Sequence, residues 1–163
     1  MYEKFMELIE NNADKITSNI LLEIQKRDEV RHYREIPEDV AAGRISQVTR
    51  NVYERLGNWL NKNKPKDTLF AYYSELGAQR CREGIPLEEV VMLLMLIKRE
   101  IWYVIDDQIV VGSGFPLKEI SYYGNLFFDR IIHSAITGYQ AALGKICGNA
   151  GSERELIAKI FRK

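Results

Sequence analysis

The side chains best suited to chemistry in this 163-residue chain are two histidines and two cysteines, and their spacing limits what each can do. Glu29-x-x-His32 has the spacing of half a di-iron carboxylate site, but such a site needs the motif twice plus two glutamates from other helices. No second copy exists, so the pair reads as a solvated connector. Asp129 and His133 lie four apart on a helical segment and could share a charge-assisted hydrogen bond or give a metal two ligands. No further ligand accompanies them, which favours the plain hydrogen bond. His133 also lacks the Glu-Leu/Ile-Arg-x-Pro that follows a phospho-accepting histidine in kinases. Cys81 stands between Arg80 and Arg82, whose charges favour a thiolate. Its place near the negative end of a helix works against that, so a redox role is not expected. Cys81 and Cys147 are far apart and have no metal-finger spacing, which indicates neither a disulfide framework nor a zinc site and fits a reducing cytoplasm.

Catalytic motifs are missing as well. There is no Gly-x-Ser-x-Gly elbow, no phosphate-binding loop and no dinucleotide fingerprint, so neither catalysis nor a cofactor is expected. Aromatic residues are more plentiful, and at helical spacing their ordinary use is to fill a core. A sharper use would be a small-molecule pocket between helices, with Trp102 and Tyr123 as walls and Arg99 or His133 as the polar contact. This ligand carrier is the alternative to a pure interaction module.

Composition narrows the partners. Basic and acidic side chains number 23 each, so no global field draws the chain to nucleic acid or to an anionic membrane. The N-terminus MYEKFMELIENN lacks the basic-then-apolar layout of a signal peptide. The longest apolar run, Val90 to Ile97, ends at Lys98, Arg99 and Glu100, far short of the roughly 20 residues of a membrane span. No membrane insertion is expected. A chain this long fits one domain that buries about two-thirds of its unfolded surface.

The elements that must position these residues are all helical. Three helix starts share one phrase, Ile36-Pro37-Glu38, Ile85-Pro86-Leu87 and Phe115-Pro116-Leu117, with Pro where a missing N–H costs nothing. Apolar residues recur at steps of three and four: Phe5 to Ile24, with a break at Asn11-Asn12 permitted; Ile45, Val48, Val52, Leu56 and Trp59; Leu69, Tyr73 and Leu76 after an N-cap at Asp67, with Arg80 continuing that side; Val90 to Ile105; and Ile120 to Ala142. The spacing predicts an all-α bundle of about five main helices, with the fourth at its centre because several of its faces are apolar. Small residues in the later half of the fifth helix allow close approach by another helix. Gly84 suits the left-handed position that ends a helix just before Pro86.

Residues 1–147 then form the bundle. Gly148 to Gly151 read as a flexible joint, and Ser152 with Glu155 as a capping box starting a short last helix. Leu156, Ile157, Ile160 and Phe161 lie along one side of it. About ten residues cannot hold a helix alone in water, so this stripe requires a partner: the bundle, a second copy, or a continuation of the chain. A homodimer seam is the reading adopted.

The pattern from Glu75-Leu76-Gly77 through Arg80 to Gly84-Ile85-Pro86-Leu87-Glu88-Glu89-Val90, followed by Lys98-Arg99 and Trp102, resembles the RsbRD N-terminal domain family. The resemblance covers most of the chain. It implies a cytoplasmic, all-helical input module of bacterial sensor histidine kinases or RsbT co-antagonist proteins, passing a signal to a C-terminal output domain or a partner protein. No kinase ATP-binding motif is present, so that output domain is expected outside these 163 residues.

Overall fold

A computed structural model describes the backbone of residues 2–60, 66–108 and 117–160, and the side chains of 3–4, 6–60, 70–107 and 117–148. Helix α1 spans Tyr2–Asn11 and α2 Ala13–Lys26. Asn12 breaks the pair, spending its side chain on the carbonyl of Leu8 at 2.8 Å and giving α2 no side-chain cap. The segment expected as a bare connector is instead a 3-10 turn, Asp28–Val30, and a short α3, Arg31–Glu35. It folds because Val30 and Tyr33 are buried. Helix α4 spans Glu38–Leu60, α5 Lys66–Arg82, α6 Leu87–Gln108 and α7 Leu117–Ile160. Asp67 therefore lies inside α5 rather than capping it. Among the described residues there is no strand, and the chain is an all-α bundle.

The expected stripes form the core. Ile9, Ile16, Ile20 and Ile24 from the first two helices meet Ile45, Val52 and Leu56 of α4 and Leu94, Ile97, Ile101 and Ile105 of α6. Helix α6 touches α1, α2, α5, α7 and the 3-10 turn, as its all-round apolar start requires. A second stripe of α6 is also buried: Glu89, Leu93, Leu96, Glu100 and Val104. Carboxylates at two of those five places need partners there.

Helices α5 and α7 form the tightest pair. A Cβ on Gly77 would lie 1.9 Å from the carbonyl oxygen of Ala135, and one on Gly138 would lie 1.8 Å from that of Ser74. Only glycine lets these backbones meet. The aromatic residues fill the space beside this crossing: Phe127 lies 6.4 Å from Trp59, 6.5 Å from Tyr73 and 5.8 Å from Phe128, centroid to centroid.

One expected boundary is displaced. Helix α7 is 44 residues long and continues through Gly148–Gly151, so neither a break at those glycines nor a helix start at Ser152 is found. Phe161 lies outside the described residues.

Candidate functional site

Polar side chains gather where α5 turns into α6. Gly84 has φ +76°, the Gly84 N–H donates to the Cys81 carbonyl at 3.0 Å, and the Ile85 N–H donates to the Arg80 carbonyl at 3.1 Å. This is a Schellman ending, which only glycine adopts without a Cβ penalty. The corner is then held from α7, because the Tyr139 hydroxyl donates to the Ile85 carbonyl at 2.9 Å. Burial is the first cause that pushes the Tyr139 phenol up, and Cys81 and Glu88 add to it.

Two ion-pair groups flank the corner. Glu83 sits between guanidinium groups: Arg80 donates to its two oxygens at 3.1 and 2.9 Å, and Arg44 of α4 donates to both at 3.0 and 3.3 Å. Arg80 is buried and also faces Tyr33, whose phenol is pushed up to about 12 by burial against the opposing pull of Arg80. On the other flank, buried Glu89 accepts the His32 backbone N–H at 2.9 Å and meets His32 Nδ1 at 2.6 Å. The carboxylate thereby serves the first turn of α3, whose N-cap residue Val30 has no side chain to do so.

A third group lies further along α6. Glu100 accepts from Arg99 at 3.1 Å and from Asn19 at 3.3 Å, and Arg99 reaches Glu23 of α2 at 3.0 Å. Glu23 also takes Arg27 at 3.0 Å. The Arg99 guanidinium, and then Arg27, hold the Glu23 carboxyl below its usual value.

Of the residues read as a ligand pocket, Arg99 is engaged in this α2–α6 group. Trp102 lies against α7 at Gly124, where a Cβ would come within 2.8 Å of its ring. Tyr123 is half-buried and its ring lies 5.2 Å from that of Tyr122. His133 is exposed, ten positions further on, which at 1.5 Å per residue is about 15 Å along the helix. The set is thus spread along α6 and α7. Asp129 pairs with Lys98 at 3.4 Å rather than with His133, and His32 pairs with Glu89 rather than with Glu29. Cys81 is buried and Cys147 exposed. Among the described residues no group of three His, Cys, Asp or Glu could hold a metal ion. The signal that could have found Glu89 and Glu100 is their three-and-four spacing with Leu93, Leu96 and Val104.

At the far end, α7 leaves the bundle. Ala142 is buried, whereas Leu143 and Ile146 are 45% and 46% exposed. A family model described as the RsbT co-antagonist protein rsbRD N-terminal domain matches residues 14–154. The chain belongs to this family. No curated protein and no solved structure matches it.

Membership makes the chain a regulatory domain of stress signalling. The RsbRD N-terminal match takes in the Gly84 corner with both of its ion-pair groups, the α5–α7 crossing and the part of α7 that leaves the bundle. The residues that carried the resemblance have structural tasks: Gly77 admits Ala135, Arg80 and Glu83 brace the corner, Gly84 turns it, and Glu89 holds His32. No described helix of this RsbRD N-terminal domain is long and apolar enough to cross a membrane.

Proposed function

We propose that this domain is the input module of a bacterial, cytoplasmic stress-signalling regulator, RsbR-like or a sensor histidine kinase, and that α7 is its output. One observation carries the reading: α7 is packed in the bundle as far as Ala142 and then continues as helix, with Leu143 and Ile146 exposed. The sequence continues that spacing at Ala150, Glu153, Ile157 and Ile160, alternating steps of four and three. This is the period of a coiled-coil seam, with Glu153 its one charged member. Two copies paired along it form a homodimer whose seam leads toward an output domain.

Transmission then needs no joint. A rigid helix clamped at Gly138 and Tyr139 carries any shift of the α5–α6 corner directly into the seam, because Tyr139 bonds the Ile85 carbonyl. Residues 1–147 act as the input unit, and the stripe of Leu156, Ile157, Ile160 and Phe161 as the transmission end.

Sedimentation tests this. The wild-type chain is expected to dimerise at micromolar concentration. Ile157→Asp with Ile160→Asp, and separately Leu143→Asp with Ile146→Asp, are expected to give monomers with unchanged helical circular dichroism. A wild type that stays monomeric at high micromolar concentration, or variants that unfold, would remove α7 as the transmitting element.

A further inference from the structure

Helix α6 carries a third stripe, and it faces outward. Glu88, Met92, Met95, Arg99, Trp102 and Asp106 follow one another at steps of four and three, and each is exposed or half-buried, whereas the other two stripes of α6 are buried. This is the period of a helix seam. The stripe runs between α2, where Glu23 takes Arg99 at 3.0 Å, and α7, where Trp102 lies against Gly124. Apolar side chains are open to solvent along it: Met95 is 50% and Tyr103 61% exposed, and Leu22, next to Glu23 on α2, is 58% exposed. The Arg99 guanidinium lies 6.0 Å from the centre of the Tyr103 ring, which ties them into one patch.

Charge decides what fits there. Glu88 is exposed and makes no hydrogen bond or ion pair among the described residues. Arg99 bonds through Nε and Nη2, to Glu100 and Glu23, and its side chain is 35% exposed, which leaves the Nη1 protons to give. The unpaired acid and the open donor share one face, with Met92 and Met95 between them. A second α6 laid antiparallel, about a two-fold axis between Met92 and Met95, sets each Glu88 opposite the other copy's Arg99 and each Met92 opposite the other copy's Met95. Sliding it by one heptad sets Glu88 against Asp106 in one direction and Met92 against Glu88 in the other. A parallel arrangement in register sets Glu88 against Glu88 and Arg99 against Arg99. Like charges face to face, or an acid against an apolar side chain, disfavour each of these.

We propose that the outward face of α6 docks on the same face of a second copy, antiparallel, with Met92 and Met95 at the centre and reciprocal Glu88–Arg99 pairs at the ends. Methionine side chains repack readily, which suits such a contact. The segment from Glu88 to Arg99 is shorter than the roughly 20–30 residues a side of a standard interface, so the contact is weak alone and leaves the α7 variants monomeric at micromolar concentration. It is also distinct from the α7 seam. Helices α6 and α7 run antiparallel side by side, with Lys98 at 3.4 Å from Asp129 and Trp102 beside Gly124. The two-fold of a parallel α7 seam lies along these helices, whereas that of the α6 pair lies across them. Where both contacts form, the α6 faces join α7 dimers in pairs, and only that step rests on the α7 reading.

Crosslinking of the full chain tests it, in a background of Cys147→Ser, Leu143→Asp and Ile146→Asp that removes the exposed thiol and the α7 seam. Tagged Met92→Cys chains are mixed with untagged Met95→Cys chains at about 200 µM, a concentration suited to a weak contact, and treated with a short bis-maleimide. A mixed crosslinked dimer is expected, at a yield about fivefold or more above that of Gln47→Cys, an exposed position on α4. Glu88→Arg in both chains, which sets a cation against Arg99, should return the yield to the Gln47→Cys level, and Glu88→Gln should lower it less. Unchanged helical circular dichroism checks that both variants fold. If the aspartate pair unfolds the chain, the same crosslinks are read with Leu143 and Ile146 intact. The proposal is overturned by a mixed yield no higher than the control, or by a yield that Glu88→Arg leaves unchanged. Failure of the α7 seam alone looks different: the wild-type chain stays monomeric at micromolar concentration while the crosslink still forms.

Discussion

His32 and Glu89 stand 57 residues apart in sequence and are joined by two hydrogen bonds to one carboxylate, at 2.9 Å from the backbone N–H and 2.6 Å from Nδ1. Glu89 is buried in the first turn of α6, and His32 lies in the first turn of α3. The pair fastens a five-residue helix that has no side-chain cap to the central helix of the bundle. Glu89→Ala leaves the His32 N–H without its acceptor and is expected to cost roughly 1–3 kcal/mol. Glu89→Gln keeps an acceptor and should cost less. Urea unfolding checks the order, and an alanine variant as stable as wild type would show the pair to be dispensable.

Glycines of α5 and α7 divide into two kinds. Gly77→Ala and Gly138→Ala each drive a β-carbon into a backbone carbonyl, so both are expected to lose several kcal/mol or fail to fold, in the manner of an overpacked core. Gly144 has open space around it, and Gly144→Ala should stabilise by about 0.5–1 kcal/mol through helix propensity alone. Thermal unfolding of the three variants compares them directly. If all three shifted alike, the close approach of α5 and α7 would be refuted.

Gly84 combines positive φ with open surroundings. Its cost on replacement is therefore conformational: Gly84→Ala should destabilise by about 1 kcal/mol. Gly84→Asn, better suited to the left-handed region, should recover part of it. An unchanged melting temperature for the alanine variant would contradict the helix ending.

The Glu23 group makes stability depend on pH. Arg99 and then Arg27 depress the folded carboxyl below its usual 4.5, so its contribution is complete above that pH and is lost as pH falls through the folded value. The melting-temperature gap between wild type and Glu23→Gln should be present at pH 7 and shrink below about pH 4. Added salt should narrow it, since the group is partly exposed to solvent. A gap constant from about pH 7 to pH 3 would mean that Glu23 acts by packing.

What the sequence by itself determined is which residues turn inward. Steps of three and four placed Ile9 to Ile24, Ile45 to Leu56 and Val90 to Ile105 on single faces, and those faces are buried, because helical period is a local property that packing has only to accept. Gly84 before Pro86 was equally local, and the corner turned where those residues require. Gly148 to Gly151 misled: a glycine lowers helix propensity by about 1 kcal/mol, but a helix already formed extends with one hydrogen bond per residue and stops only at a true ending. The tertiary structure alone decided the pairings. Glu89 with His32, Arg99 with Glu23 and Gly77 with Ala135 join residues on different helices, and Arg44 with Glu83 joins α4 to the turn after α5. It also decided that Thr49 is wholly buried. Such pairings depend on which helices become neighbours and at what distance, and that is set by the packing of all the faces together.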